Sequence, residues 1–234
     1  MGMVAAVVVA AGRGQRAGGD IPKQYRTIAG APAIHPTLAA FSSHPQVDLV
    51  QPVIHPQDEE LFRAATAGLQ KLLQPIAGGA TRQISVRAGL QALLARAPEL
   101  VLIHDAARPF LTGALITRAI EAGKEHGAAV PGIAIADTVK KIDDAAMVTE
   151  TLDRSRLRMV QTPQAFAFAL IIDAHRRAAA AGREDFTDDA ALAEWAGHRV
   201  SVFAGEAGNV KLTTNDDFAR AEVLRAAALS DVRT

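Results

Sequence analysis

Apolar and polar positions along this chain switch repeatedly between two spacings. Residues 3–10 form a continuous apolar stretch rich in Val that runs straight into glycines, the pattern of a strand buried on both faces of a parallel sheet. Short apolar runs at 47–54, 73–77 and 100–104 predict three further strands, the third stopping at Gly78-Gly79 and the fourth ending in polar residues. Helical spacing marks the segments between and after them, at 33–43, 57–69, 83–96 and 115–126. Strands that alternate with helices predict crossover units and a doubly wound, mostly parallel sheet of the α/β class.

The stretch 130–160 breaks this rhythm. Val130, Ile133, Ile135, Val139 and Ile142 lead to a polar turn at Asp143-Asp144, and a second extended run follows at 147–152, which predicts a hairpin or arm. Helices at 166–181 and 188–196 and a strand at 199–203 come next. The last helix is predicted to start near Thr214, because Thr214 and Asp217 have capping-box spacing with Asp in place of the usual Glu. With neither repeats nor a long linker, residues 1–234 read as a single domain carrying one arm.

Composition narrows the function classes. Hydrophobic residues make up 49% of the chain but aromatics only 4%, so aliphatic side chains must fill the core. The 25 basic and 25 acidic residues cancel, which removes the electrostatic footprint of a general nucleic-acid binder. The chain has no cysteine, and hence no disulfide, thiolate metal site or cysteine nucleophile. The apolar run 3–11 is shorter than the roughly 20 residues a membrane span needs, and no basic segment precedes it. The expectation is a soluble, cytoplasmic protein with no membrane partner.

Three motifs carry candidate chemistry. Ala10-Ala11-Gly12-Arg13-Gly14-Gln15-Arg16 directly follows the first predicted strand, and Ile21-Pro22-Lys23-Gln24-Tyr25 comes soon after. Glycines let a backbone turn tightly and bring N–H groups against phosphates, while Arg13 and Arg16 offer guanidinium forks for their oxygens. Alone, such a loop is equally an ordinary strand-to-helix turn. Gly12-x-Gly14-x-x-Ala17 also fits a relaxed dinucleotide fingerprint, but no acidic residue ends a strand about 20 residues later, and the Walker A ending is absent. The second motif, residues 78–86, places a glycine turn before a helix, where oriented N–H groups can meet an anion or a base edge. The third, His104-Asp105-Ala106-Ala107-Arg108-Pro109, ends a strand, the position where ligands gather in open α/β sheets. Its Asp suits Mg²⁺ or a ribose hydroxyl and its Arg a phosphate; His104 is equally readable as a satisfied core histidine and is given no catalytic role. The remaining elements, Asp137-Thr138-Val139-Lys140-Lys141, Asp153-Arg154, Thr162-Pro163-Gln164, Thr187-Asp188-Asp189 and Asn209-Val210-Lys211-Leu212-Thr213, gain weight from their order along the chain.

In that order the motifs closely resemble the 2-C-methyl-D-erythritol 4-phosphate cytidylyltransferase family, from Val4 to about Leu224. The resemblance implies a Rossmann-like nucleotidyltransferase sheet, a homodimer, and a protruding β-arm within 130–160 that embraces the partner subunit. It implies CTP and methylerythritol phosphate as substrates, with Mg²⁺ or another divalent cation. Ala10, Ala11, Gly12, Gly79, Ala80, Ser85 and Ala106 would line the cytidine pocket, with Arg13 and Gly14 in the same nucleotide loop. Arg16, Lys23 and Lys211 would hold the phosphates and the transition state. Asp105 would sit beside ribose and the metal ion. Arg108, Thr138 and Arg154 would bind methylerythritol phosphate, the last two reaching over from the partner chain. Two positions depart from the family pattern: Ala80 stands where Asp is frequent, and Ala17 where Met is common. A ribitol 5-phosphate cytidylyltransferase, a dinucleotide-dependent oxidoreductase and a non-catalytic nucleotide-binding module remain as alternatives.

Overall fold

The computed structural model describes residues 2–13 and 21–231. In chain order its elements are β1 (Val4–Ala10), β2 (Thr27–Ile28), β3 (Ala31–Pro32), α1 (Ile34–Ser43), β4 (Leu49–Ile54), α2 (Glu59–Ala65), β5 (Ile76–Ala77), α3 (Arg82–Ala92), β6 (Leu100–Asp105) and α4 (Gly113–His126). There follow β7 (Ala128–Ala134), β8 (Val139–Ile142), β9 (Val148–Leu152), β10 (Arg158–Val160), β11 (Gln164–Ala167), α5 (Phe168–Ala180), α6 (Asp189–Trp195), β12 (Ser201–Ala204) and α7 (Asn215–Asp231).

Strand β1 serves two cores at once. Val4, Ala6, Val8 and Ala10 belong to one buried cluster, and the intervening Ala5 and Val7 to the other. β6 divides in the same way, with Leu100 and Leu102 on the first side and Val101 and Ile103 on the second. Period-two alternation with both faces apolar makes these runs look continuous in sequence. Helices α1, α2 and α4 cover the first face, and α3, α5 and α6 the second. α3 lies especially close: a Cβ built on Gly89 would sit 2.6 Å from Val7 Cγ1 and 2.9 Å from Val53 Cγ2.

The main sheet has the order β10-β7-β11-β6-β1-β4-β5, with β12 also paired to β7. β6, β1, β4 and β5 are mutually parallel, and β12 is parallel to β7. β11 runs antiparallel between β6 and β7, and β10 antiparallel to β7. The sheet is thus α/β, mixed and mostly parallel, as expected.

Several boundaries move. The predicted helix 57–69 becomes a 3₁₀ turn at Pro56–Asp58 leading into α2, which ends at Ala65. There the Thr66 hydroxyl folds back onto the Phe62 carbonyl, a local bond that competes with helix continuation. The predicted strand 73–77 shrinks to β5. The predicted helix 166–181 loses its first residues to β11, where Phe166 is fully buried in the sheet. Within 130–160, the flanks are main-sheet strands, and the separate hairpin is β8–β9. Its turn is held by Asp143 Oδ1, which accepts from the backbone N–H groups of Ala145 and Met147. Ile142, Met147 and Val148 on it are exposed. The capping box forms as the spacing predicts: Thr214 Oγ1 accepts from Asp217 N, and Asp217 Oδ2 accepts from Thr214 N.

Candidate active site

Leaving β1, the chain moves to β4 on one side, while β6 returns on the other side of β1. The loops that follow β1 and β6 therefore part, and a crevice opens at the carboxyl ends of the strands. A cavity of about 630 Å³ occupies it. Ala10, Ala11, Gly12 and Arg13 line it after β1, Gly79, Ala80 and Ser85 at the head of α3, and Asp105 and Ala106 at the end of β6. Lys23 and Lys211 complete the wall.

The glycine turn before α3 is compact for a visible reason. A Cβ on Gly78 would fall 2.3 Å from the Ala11 Cβ, so the backbone after β5 packs directly against the Ala11 methyl group. Thr81 caps α3 by accepting from Ile84 N at 3.1 Å. Ser85 Oγ donates to the Thr81 carbonyl at 2.9 Å and accepts from Gly79 N at 3.1 Å. These bonds fix the turn and bring the positive end of α3 to the cavity wall.

Asp105 is the electrostatic centre. Its Oδ1 accepts from Arg82 Nε at 2.8 Å and its Oδ2 from Lys211 Nζ at 2.7 Å. Burial by itself would raise this carboxyl's pKa, but the charges of Arg82 and Lys211 outweigh burial and hold it well below the ordinary range. Arg82 also donates from Nη1 to Asp189 Oδ2 at 2.8 Å. Burial opposes the Arg82 charge, and the two carboxylates more than restore it.

The segment bearing Lys211 is anchored from beneath. Asn209 is fully buried and donates to the Thr162 carbonyl at 2.7 Å, and Leu212 N donates to the Ala107 carbonyl at 2.8 Å. Lys23 Nζ donates to the Leu212 carbonyl at 3.2 Å, so two lysines distant in sequence reach one segment. Neighbouring Gln24 donates to the Ala10 carbonyl at 2.6 Å and ties Lys23 to the β1 loop.

The remaining expected residues take other partners or lie away from the cavity. Arg13 borders the cavity, but its guanidinium is engaged by Asp58 at 2.9 Å, Gln57 at 2.6 Å and His55 at 2.6 Å. The phosphate fork expected of Arg13 is thus turned toward the segment after β4. Arg108 does not line the cavity; its Nη1 donates to the Asn209 carbonyl at 2.8 Å, and burial lowers its pKa. Thr138 and Arg154 are exposed near the hairpin and line no part of their own chain's cavity, with Arg154 donating to the Ala136 carbonyl. Gly14 and Arg16 lie outside the described residues. His104, for which the sequence left a core role open, is a core histidine: it is fully buried between Thr162 and the Arg108 carbonyl, edge-on to Phe41, and burial pushes its pKa down to about 4. Sequence reasoning missed Arg82, although the motif 78–86 contains it, and missed Gln24 and His55, which also line the cavity.

The family model described as "IspD: 2-C-methyl-D-erythritol 4-phosphate cytidylyltransferase" matches residues 4–226. The chain belongs to this family. A relative from Nitrobacter winogradskyi, named "Bifunctional enzyme IspD/IspF", is 60% identical over 98% of this chain and 58% of that protein. A Rhodopseudomonas palustris protein of the same name is 58% identical over 98% of this chain and 58% of its own length. The chain therefore spans a little over half the length of these IspD/IspF relatives. Among solved structures, the 4-diphosphocytidyl-2C-methyl-D-erythritol synthase of Anaerococcus prevotii aligns with a TM-score of 0.85 at 31% identity, covering 96% of each chain. The 2-C-methyl-D-erythritol 4-phosphate cytidylyltransferase of Thermus thermophilus aligns with a TM-score of 0.78 at 34% identity, covering 94% of this chain and 98% of that one. No helix among the described residues is long and apolar enough to cross a membrane.

Proposed function

We propose that this chain transfers CMP from CTP to 2-C-methyl-D-erythritol 4-phosphate, giving 4-diphosphocytidyl-2-C-methyl-D-erythritol and pyrophosphate, a step of the non-mevalonate isoprenoid pathway. The observation that carries this reading is the convergence of Lys23, Arg82 and Lys211 with Asp105 on one glycine-walled cavity, in a chain of the IspD family.

A phosphate oxygen of the acceptor attacks the α-phosphorus of CTP. One P–O bond forms, the α–β bridging bond breaks, and pyrophosphate leaves with the electron pair. The attacking phosphate monoester is mostly dianionic at neutral pH, its second pKa being about 6. No general base is required, in keeping with the neutral, sequestered His104. The barrier is the approach of an anion to a polyanion, and positioning with cationic stabilisation lowers it. Lys23 and Lys211 act as point charges on phosphate oxygens. Arg16 acts with them as a bidentate guanidinium, on the strength of its place in the sequence motif 10–16. Ala10, Ala11, Gly12, Gly14, Gly79, Ala80, Ser85 and Ala106 shape the nucleotide site, and Arg13 braces its outer wall.

Mg²⁺ suits this donor set. Among the described residues no group of three or more His, Cys, Asp or Glu side chains could hold a metal ion by itself. Mg²⁺ is usually held by one or two carboxylates together with substrate phosphates, and each Asp105 oxygen keeps a second lone pair beyond its cation contact. Asp105 and the triphosphate would hold the ion, which supplies neutralisation of phosphate charge.

The hairpin β8–β9 carries exposed Ile142, Met147 and Val148, an apolar surface suited to a second copy of the chain. A homodimer would bring Thr138 and Arg154 of one subunit to methylerythritol phosphate bound beside Arg108 of the other. The cytoplasm, where CTP is made, is the matching location.

Pyrophosphate release coupled to a chromogenic assay, with CTP, Mg²⁺ and methylerythritol phosphate, tests the reading. Release should require all three, and ribitol 5-phosphate should substitute poorly. Absence of pyrophosphate with methylerythritol phosphate would refute it.

A further inference from the structure

Thr187-Asp188-Asp189 holds two adjacent carboxylates with different duties. Asp188 is architectural: its Oδ1 caps α6 by accepting from Ala191 N at 2.8 Å, and its Oδ2 accepts from Gln164 Nε2 at 2.8 Å. Asp189 caps nothing. It is 1% exposed, its Oδ2 accepts from Arg82 Nη1 at 2.8 Å, and its Oδ1 meets His175 Nε2 at 3.1 Å. Burying a carboxylate is costly, and a buried ion pair is a weak way to gain stability. The placement of this charge points to the cavity rather than to the core.

A continuous line of charged contacts runs from inside α5 to the nucleotide crevice: His175, Asp189, Arg82, Asp105, Lys211. Two carboxylates face two cations along it. Arg82 grips Asp105 through Nε alone, a single contact that leaves a long side chain able to rotate. The second contact, to Asp189, fixes the guanidinium plane. When Lys211 turns toward a phosphate, Asp105 loses one of its two partners, and Arg82 then has to hold the carboxylate by itself.

We propose that Asp189, braced by His175, is a positioning residue of the nucleotide site: it locks Arg82 in the orientation that presents Asp105 to the cavity. This inference rests on the cytidylyltransferase reading above. Asp189 touches neither substrate nor reacting atoms in it; its effect passes through Arg82. Depressed pKa values at both carboxylates, where burial is outweighed chiefly by the Arg82 charge, agree with an arginine shared between them.

A double-mutant cycle tests it in the full chain. Asp189→Asn keeps the shape and removes the charge, and it should lower kcat/KM for CTP by about 10- to 100-fold, the usual cost of losing an outer-shell partner. Arg82→Ala should lower it at least as far. Adding Asp189→Asn to Arg82→Ala should cost less than about 2-fold more, because coupled residues do not add. Fully additive losses, or wild-type kcat/KM in Asp189→Asn, would overturn the proposal. If Asp189→Asn does not fold, His175→Gln, which can still donate to Asp189, should stay near wild type, and His175→Leu should lose activity. Equal activity of those two variants would overturn the bracing. Calorimetric titration with CTP gives the same cycle as binding constants. If the wild type binds CTP but makes no pyrophosphate, the functional reading fails while the Asp189–Arg82 coupling is still measured.

Discussion

Lys211 Nζ and Asp105 Oδ2 meet at 2.7 Å across 106 positions of sequence. The carboxylate holds the lysine at the cavity wall, in a place from which it can move to a phosphate. Lys211→Ala should lower kcat/KM by about 10²–10³-fold, the scale for losing one preorganised charge donor. Lys23→Ala, whose ammonium reaches the neighbouring Leu212 carbonyl, should fall in the same range, and so should Arg16→Ala. Steady-state pyrophosphate release checks all three, and near-normal turnover in any one removes that residue's role.

Stability should fall as the solution is acidified, in two stages. The folded His104 has a pKa near 4 against an ordinary 6.5, so between those values the unfolded chain takes up a proton that the folded chain refuses. Its contribution is full above pH 6.5 and declines as pH falls toward 4, by up to about 3 kcal/mol. Asp105 and Asp189, both depressed, act below that, since their contribution is present above the ordinary carboxylate range and is lost as pH falls through it. Unfolding midpoints in urea at pH 7 and pH 5 should differ, and His104→Gln should flatten that difference. An unchanged slope would show that His104 is not the titrating group.

Gly89→Ala should destabilise the protein by about 1–3 kcal/mol, the cost of overpacking a close-packed site. The added methyl would meet Val7 and Val53 and push α3 away from β1 and β4. Because α3 also carries Arg82 and Ser85, the variant should bind CTP more weakly as well. Thermal unfolding and calorimetry on one sample measure both effects.

If Arg154 serves the neighbouring subunit's cavity, two inactive chains should repair each other. Mixing Arg154→Ala with Lys23→Ala should yield heterodimers in which one cavity has both residues intact. Recovery of part of the wild-type turnover on mixing is the expected outcome; heterodimers without activity would exclude a shared site.

The parts of this molecule that are legible in sequence are those where a local rule and the fold agree. β1, with both faces buried, has to be apolar throughout, and Gly12 soon after it lines the cavity. Thr214 and Asp217 announce the start of α7 because a capping box is a contact between near neighbours. Asp105 stands out because a polar residue ends a buried strand. What escapes is set by distant partners. Arg82 looks like a solvated helix residue until Asp105 and Asp189 arrive from 23 and 107 positions away. Arg13 looks like a phosphate ligand until Asp58 claims it. β11 runs directly into α5, and without a turn between them their apolar residues read as one helix. The hairpin's extended runs are visible, but the strands β7 and β10 that flank it carry no local sign that they return to the main sheet.

Lys211 and Thr213 lie just ahead of the capping box that starts α7, and they close a cavity whose other lining residues belong to the first half of the chain. A ribosome making this protein will therefore have released almost all of the sheet before the last charged wall of the crevice is available. Until residues 209–217 have emerged and docked, the nascent chain holds a glycine cradle lacking its final ammonium group. On the cytidylyltransferase reading, binding of nucleotide is thereby tied to completion of the fold itself.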